Sequence, residues 1–311
     1  MKRLKTVFMG TPDFAVPCLA RLLEISEVIG IVTQPDKKRG RGQKIMPSPV
    51  KVFAQTHDLP VYQPYKIREE KFIEELEKLA PDLIVVVAFG QILPQRILDI
   101  PPLGCINVHA SLLPRYRGAA PMQRCLMAGE TMTGVTTMFM DAGLDTGDML
   151  LQEKVEIDAS MTMETLHDLL SNIGAGLLVK TIMALMDGTL LRIKQDDSVS
   201  CYAAMLTKET GKINWTKSAI ELHNLVRALD SWPGAYTRFA GKIFKIWRTR
   251  VHDGEHGGDP GEVIYQTEQG LVVATGKGAL EILELQAPGK RRMSTTEYLR
   301  GHVIPEHSFF A

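Results

Sequence analysis

The chain has 311 residues, 45% hydrophobic and 23% charged, the make-up of an ordinary soluble globular protein with room for two cored domains. Lys+Arg and Asp+Glu both number 36, so global charge points to no polyanionic partner and any such contact has to be local. Cys18, Cys105, Cys125 and Cys201 lie far apart with no Cys-x-x-Cys, which argues against a disulfide framework or a zinc site and fits a reducing cytoplasm.

In chain order, the basic start Met1–Gly10 has an apolar run too short for a signal peptide, and Thr6–Met9 reads as a first strand. A helical pattern through Phe14, Leu19 and Leu23 follows, with Thr11-Pro12 as its cap and first turn. Gly10 is followed by no second glycine before Gly30, so the Gly-x-Gly-x-x-Gly of a dinucleotide site is missing. Val28–Thr33 and Leu83–Ala88 are uninterrupted apolar runs, as expected of strands covered on both faces in a parallel α/β sheet. Cys105–Val108 and Thr133–Met140 are further strands, and Met163–Met186 a long helix. No stretch is expected to approach the ~20 apolar residues of a membrane span. Alternation of this kind predicts a doubly wound sheet, with ligands beyond the carboxyl ends of its strands.

After Asp187-Gly188 the pattern changes. Arg192–Tyr202 is polar and reads as a connector. Ser218-x-x-Glu221 is a capping box for a helix with Leu222, Leu225, Val226 and Leu229 on its apolar side. Short strands follow at Ala235–Phe239, Lys242–Thr249, Gly261–Tyr265, Leu271–Ala274 and Ala279–Leu285, a spacing that suggests a small barrel. A second capping box, Ser294-x-x-Glu297, opens a terminal helix. The expected division is residues 1–189, a linker at 190–207, and residues 208–311. His252 and His256 are four apart, but their Gly/Asp/Pro-rich surroundings cannot keep helical register, so a solvated turn is expected there and no metal.

The chemistry concentrates between Cys105 and Asp145. Asn107 and His109 are two apart at a strand end, so both side chains face one side. Asp145 follows the next strand in Asp141-Ala-Gly-Leu-Asp145-Thr-Gly147. A lone Asn or His there is more often structural, but an amide, an imidazole and a carboxylate together suffice to steady an oxyanion and move a proton. A second feature is the Gly/Pro-rich stretch Gln34–Lys51. It holds Lys37, Lys38, Arg39, Arg41, Lys44 and Lys51 against the single acid Asp36, which marks a solvated loop or a polyanion contact.

Ile106-Asn-Val-His-Ala-Ser-Leu-Leu-Pro-Arg-Tyr-Arg-Gly-Ala-Ala-Pro121 resembles the signature of the folate-dependent formyltransferases. Met9-Gly-Thr-Pro-Asp-Phe14, Thr33-Gln-Pro-Asp36, Arg41-Gly42, Met46-Pro-Ser-Pro-Val-Lys51 and Gly143-Leu-Asp-Thr-Gly-Asp148 extend the resemblance over nearly the whole chain. It implies a Rossmann-like, mostly parallel α/β catalytic domain followed by an oligonucleotide-fold-like β-barrel. The barrel part rests on Ser231-Trp-Pro-Gly-Ala235, Pro260-Gly-Glu-Val263 and Ala287-Pro-Gly-Lys290.

The resemblance also implies transfer of a formyl group from 10-formyltetrahydrofolate to the methionine amine of initiator methionyl-tRNA, by a cytoplasmic monomer needing no metal or membrane. Asn107 would be the oxyanion donor, His109 a donor and proton shuttle, and Asp145 its orienting partner. Ser111, Leu112, Leu113 and Pro114 match the family's folate-binding segment, with Phe89, Gly90 and Asp141 completing the pocket. Arg41 would lead the tRNA contacts, with Lys37, Lys38, Arg39 and Lys44 on phosphates. In the barrel, Arg248, Arg250, Lys290, Arg291 and Arg292 are weighed as phosphate contacts against plain surface solvation. Trp215, Trp232 and Trp247 are weighed as core against stacking on a base. The rivals are a formyltransferase acting on an amino-sugar nucleotide, and a non-catalytic RNA-binding protein.

Overall fold

A computed structural model describes residues 3–39, 44–230, 232–252 and 257–311. It divides into two compact units that interleave in sequence. The first comprises 1–118, 132–156 and 167–203; the second comprises 119–131, 157–166 and 204–311.

The chain begins with β1 (Lys5–Gly10), α1 (Val16–Ile25) and β2 (Glu27–Val32), then a hairpin of β3 (Lys37–Arg39) and β4 (Lys44–Met46). There follow α2 (Pro49–Gln55), β5 (Val61–Tyr62), α3 (Glu70–Leu79), β6 (Leu83–Val87), α4 (Gln95–Leu98) and β7 (Cys105–His109). Next come α5 (Pro121–Met127), β8 (Met132–Phe139), β9 (Met149–Glu156) and α6 (Met163–Met186).

The sheet of the first unit runs β5-β2-β1-β6-β7-β8-β9. Its pairings are parallel as far as β7 and antiparallel from β7 to β8 and β9. Every residue of β6 is buried, as the unbroken run Leu-Ile-Val-Val-Val requires of a strand covered on both faces. Ile73, Leu76, Ile84, Val86 and Ile97 form the core on one side. On the other, Ser171 of α6 donates to the Phe14 carbonyl (2.9 Å), and Gly174 brings the helix so close that a Cβ there would lie 3.1 Å from Val108. Strand alternation then sends Asn107 and His109 to the face opposite α6.

α6 corrects one expectation. Its 24 residues, with a window of mean hydropathy 1.7, are long and apolar enough to cross a membrane. Leu166, Leu170, Leu177, Leu178 and Ile182 are buried against the protein while Leu169, Met183 and Met186 are exposed, so one face of this helix packs and the other meets the surface. Residues 190–203, expected as connector, pack in the first unit. Ile193 exchanges backbone hydrogen bonds with Met149, and Arg117 pairs with the Cys201–Ala203 backbone.

The second unit adds α7 (Ala219–Ala228), β10 (Ala235–Phe239), β11 (Lys242–His252), β12 (Val263–Gln266), β13 (Leu271–Ala274), β14 (Ala279–Gln286), β15 (Met293–Ser294) and α8 (Thr295–Leu299). The antiparallel order is β10-β11-β14-β13-β12, with β15 on β14. Residues 307–311 close the ring: His307 and Phe310 pair with Val263 and Gly261 beside β12, and Ala311 exchanges two bonds with Arg238 in β10. Trp215, Phe244, Ile246, Leu280, Ile282, Leu285 and Phe310 fill the interior.

The first capping box forms in full: Ser218 and Glu221 satisfy each other's backbone N–H groups, and the Ser218 hydrogen bonds pull the Glu221 carboxyl down to about 2. The second forms by half. Ser294 caps the Glu297 N–H, but the Glu297 carboxylate is drawn to Arg291 at 2.8 Å. Residues 157–166 join this unit through Arg227, whose guanidinium donates to the carbonyls of Asp158 and Met161 (3.0 Å each). α5 joins it through a small apolar cluster of Ala120, Leu206 and Leu229, with Met127 and Leu225 against it.

Candidate active site

Asn107 and His109 are 8% and 6% exposed, two polar side chains in a strand that is buried throughout. The His109 Nε2–H is matched to the Tyr116 carbonyl at 2.9 Å, which leaves Nδ1 facing Asp145 Oδ2 at 3.6 Å. With the ring neutral, Nδ1 is an acceptor opposite an acceptor. The pairing is attractive only when Nδ1 carries a proton. The same Asp145 oxygen accepts the Gly118 N–H at 2.8 Å. Asp145 sits at φ +55°, a left-handed conformation that Asp tolerates better than most residues. Among the described residues nothing is hydrogen-bonded to the Asn107 carboxamide, so its N–H groups are open to a ligand.

His109 and Asp145 are thus brought together, with Asn107 on the same face of β7, though by a route other than the expected one. β8 runs antiparallel to β7 with Phe139 beside Ile106, and Met140 donates to the Cys105 carbonyl. The Asp141–Asp148 loop thus starts beside the first half of β7 and comes back along the strand to reach His109. It does not leave from the carboxyl edge of a parallel strand. Two close approaches hold its shape. Asp141 accepts from the Gly143 N–H and the Thr146 hydroxyl, and a Cβ at Gly147 would lie 1.8 Å from the Phe139 carbonyl oxygen.

The segment after β7 is pinned from below. Thr136 donates to the Ser111 carbonyl (2.7 Å) and accepts from the Leu113 N–H (3.1 Å), while Gln152 donates to the Leu113 carbonyl (2.8 Å). Ser111 and Leu113 are buried, and the Ser111 hydroxyl is spent on the Arg115 carbonyl at 2.7 Å. Leu112 and Pro114 are half-buried. Phe89 is in the core and offers its carbonyl to Thr11 (3.0 Å) and Gln34 (3.4 Å), whereas Gly90, at φ +86°, is exposed. β6 and β7 are parallel neighbours, so 88–90 and 110–114 leave the sheet at one edge. Sequence reasoning missed Thr136, Gln152, Tyr116 and Gly118, which act through backbone contacts that residue type does not announce.

In the hairpin, Lys37, Lys38 and Lys44 are exposed beside exposed Ile45 and Met46. Arg39 closes β3 opposite Lys44. Arg41 lies outside the described residues. Lys51 does not add to the basic surface, because its ammonium is held by Asp36 (2.7 Å) and Gln63 (2.8 Å). Hydrogen bonds from Lys51 and Gln63 in turn hold the Asp36 carboxyl below its ordinary range. Among the barrel candidates, Arg248 and Arg292 pair with Glu284, Arg250 with Glu281 and Arg291 with Glu297. Among the described residues no group of three or more His, Cys, Asp or Glu is placed to hold a metal ion.

The mostly parallel sheet thus carries a buried amide and imidazole with a half-buried carboxylate beside them, on the frame of an α/β enzyme. Residues 4–182 match the formyl transferase family, and residues 205–303 match the formyl transferase C-terminal domain. The chain belongs to the formyl transferase family.

The chain is 54% identical over 302 residues to the methionyl-tRNA formyltransferase of Geobacter sulfurreducens, covering 97% of this chain and 95% of the relative. It is 50% identical to that of Clostridium novyi, covering 97% and 98%. Among solved structures, a sugar 3N-formyl transferase with dTDP and 5-N-formyl-THF aligns with TM-score 0.67 at 21% identity, over 94% of this chain and all of that one. An N-formyltransferase from Helicobacter canadensis with folinic acid and dTDP-3-aminofucose aligns with TM-score 0.67 at 22% identity, over 91% and 99%. At such identities the two structures establish the shared fold.

Proposed function

We propose that this enzyme transfers a formyl group to the free amine of methionine on the initiator tRNA, with 10-formyltetrahydrofolate as donor. The observation that carries the reading is the match at half identity or more across both units to methionyl-tRNA formyltransferases. The sugar formyltransferases share only the fold, at 21–22% identity. In this reading residues 1–189 carry catalysis and folate binding, and residues 208–311 contact the tRNA, in the cytoplasm.

The donor supplies an electrophilic formyl carbon. Its flat ring system suits the edge where exposed Gly90 and half-buried Leu112 and Pro114 follow neighbouring parallel strands, with Phe89, Ser111 and Leu113 buried behind to fix their shape. Asp141 would close the pocket by shaping its own loop. As the amine attacks, charge builds on the formyl oxygen, and the Asn107 carboxamide, bonded to no described partner, donates a hydrogen bond to it. The amine must lose a proton. His109 accepts it at Nδ1, where the imidazolium is held between Asp145 and the Tyr116 carbonyl. As the tetrahedral intermediate collapses, the bond from the formyl carbon to the donor nitrogen breaks and the imidazolium returns the proton to that nitrogen, releasing tetrahydrofolate and the neutral imidazole. Lys37, Lys38, Arg39, Arg41 and Lys44 of the hairpin stretch would meet tRNA phosphates.

The test is formylation by the purified protein with the folate donor, offering charged initiator tRNA and, separately, an amino-sugar nucleotide. Formylated methionyl-tRNA supports the reading. A formylated sugar, or no transfer while the folate still binds, overturns it.

A further inference from the structure

The strand-like stretch after α6 does more than complete the first unit. Gln195 lies between the two turns that serve the candidate catalytic pair. Its Nε2 donates to the carbonyls of Asp145 (2.8 Å) and Gly147 (2.7 Å), and its Oε1 accepts from Arg117 Nε (3.0 Å). Both donors and the acceptor of the carboxamide are thereby used. Arg117 is itself held. Its side chain is 11% exposed and reaches Asp197 at 2.8 Å, while its backbone accepts from Ala203 (2.6 Å) and donates to Cys201 (2.9 Å). Arg117 also stands between Tyr116, whose carbonyl accepts from His109, and Gly118, whose N–H donates to Asp145.

We infer that Gln195 is a positioning residue for the formyl transfer, fastening the Asp145–Gly147 backbone to Arg117 so that the Asp145 carboxylate stays within reach of His109. The inference rests on Asp145 acting in catalysis. Two carbonyls converge on one amide nitrogen, one of them from a left-handed residue; without that donor they are left facing each other and the turn opens. Gly147 cannot absorb the movement, since it already packs against the Phe139 carbonyl. A separation of 3.6 Å at the catalytic pair leaves no slack for drift of even an ångström.

The experiment compares full-length wild type, Gln195→Met, Asp145→Asn and the double variant in steady-state formylation, with thermal melts alongside. Met keeps the length of Gln and removes its donors. Gln195→Met is expected to lower kcat by about tenfold, with KM for both substrates within about twofold. In the Asp145→Asn background the same change is expected to cost less than about twofold, because the group it positions is gone. Wild-type kcat in Gln195→Met overturns the inference, as does a loss that multiplies in full with Asp145→Asn, which marks general damage. Wild-type turnover in Asp145→Asn alone overturns the active-site reading itself, and the two failures are thus distinct. If Gln195→Met fails to fold, Arg117→Lys loses the Nε donor but keeps the cation for Asp197. It is expected to show a smaller fall in kcat that likewise vanishes beside Asp145→Asn.

Discussion

The two units hold their polar groups in opposite ways. In the first, Asn107 and His109 are nearly inaccessible, and His109 and Asp145 are oriented by backbone groups that do not swing: the Tyr116 carbonyl and the Gly118 N–H. In the second, the basic residues are mostly exposed and paired with carboxylates on flexible side chains, as Arg291 is with Glu297 at 77% and 44% exposure. Buried dipoles cost no reorganisation when charge develops, so they suit chemistry. Surface pairs exchange partners cheaply, so they suit a polyanion that can displace one acid with another. The cations of the β3–β4 hairpin sit between these cases: Lys37, Lys38 and Lys44 are exposed, and among the described residues they have no ion-pair partner.

The largest effect belongs to the buried groups. Asn107→Ala, His109→Ala and Asp145→Ala are each expected to lower kcat by at least ~10²-fold with unchanged circular dichroism, since in the proposed mechanism each removes a group that serves the transition state. Near-normal turnover in all three would break the contrast at its root.

Glu281 is the exception inside the barrel, a fully buried carboxylate held by Arg250, Thr267 and His252. Arg250→Ala strands that charge and should destabilise the protein by about 1–3 kcal/mol in denaturant melts, the half-exposed Arg keeping the figure low. A neutral result would show that Thr267 and His252 suffice.

Replacing Lys37, Lys38 and Lys44 together by Ala should flatten the plot of log Kd for charged tRNA against log salt by roughly 2–3 units of slope, as three phosphate contacts are lost. An unchanged slope would remove the hairpin from the tRNA. Arg291→Ala, at the other extreme, should shift tRNA affinity and stability by less than about 0.5 kcal/mol, because its present carboxylate partner gives it little net value. A tenfold or greater loss would mean that the barrel's surface pairs are held as firmly as the buried site, and the contrast between the units would go.

Much of this was legible in the residues. The period-two spacing of Asn107 and His109 put both on one face, and the unbroken run at 83–87 announced a strand covered twice. The antiparallel turn at β8 was not legible, because a β-branched run carries no direction; that is why Asp145 reaches His109 by a route the sequence did not suggest. Lys51 looked like one more basic residue, since its partner Gln63 lies on β5's far side in sequence and only the fold brings Asp36 and Gln63 to it. The interleaving of the units escaped for the same reason. The helix at Pro121–Met127 was not among the elements read from the residues, and nothing local says that its apolar side belongs with Leu206, Leu225 and Leu229.

That last pairing has a consequence in time. During synthesis α5 leaves the ribosome long before Leu206, about 80 residues later, which at ~5–20 residues per second is roughly 4–16 s. For that interval Ala120 and Met127 have no native cover from their own unit, and the helix is a loose end in an otherwise foldable first half. Limited proteolysis of released chains truncated after residue 203 should therefore cut within 119–131, and the finished chain should resist at the same bonds. The second unit is thus begun early in the chain but cannot be assembled until late.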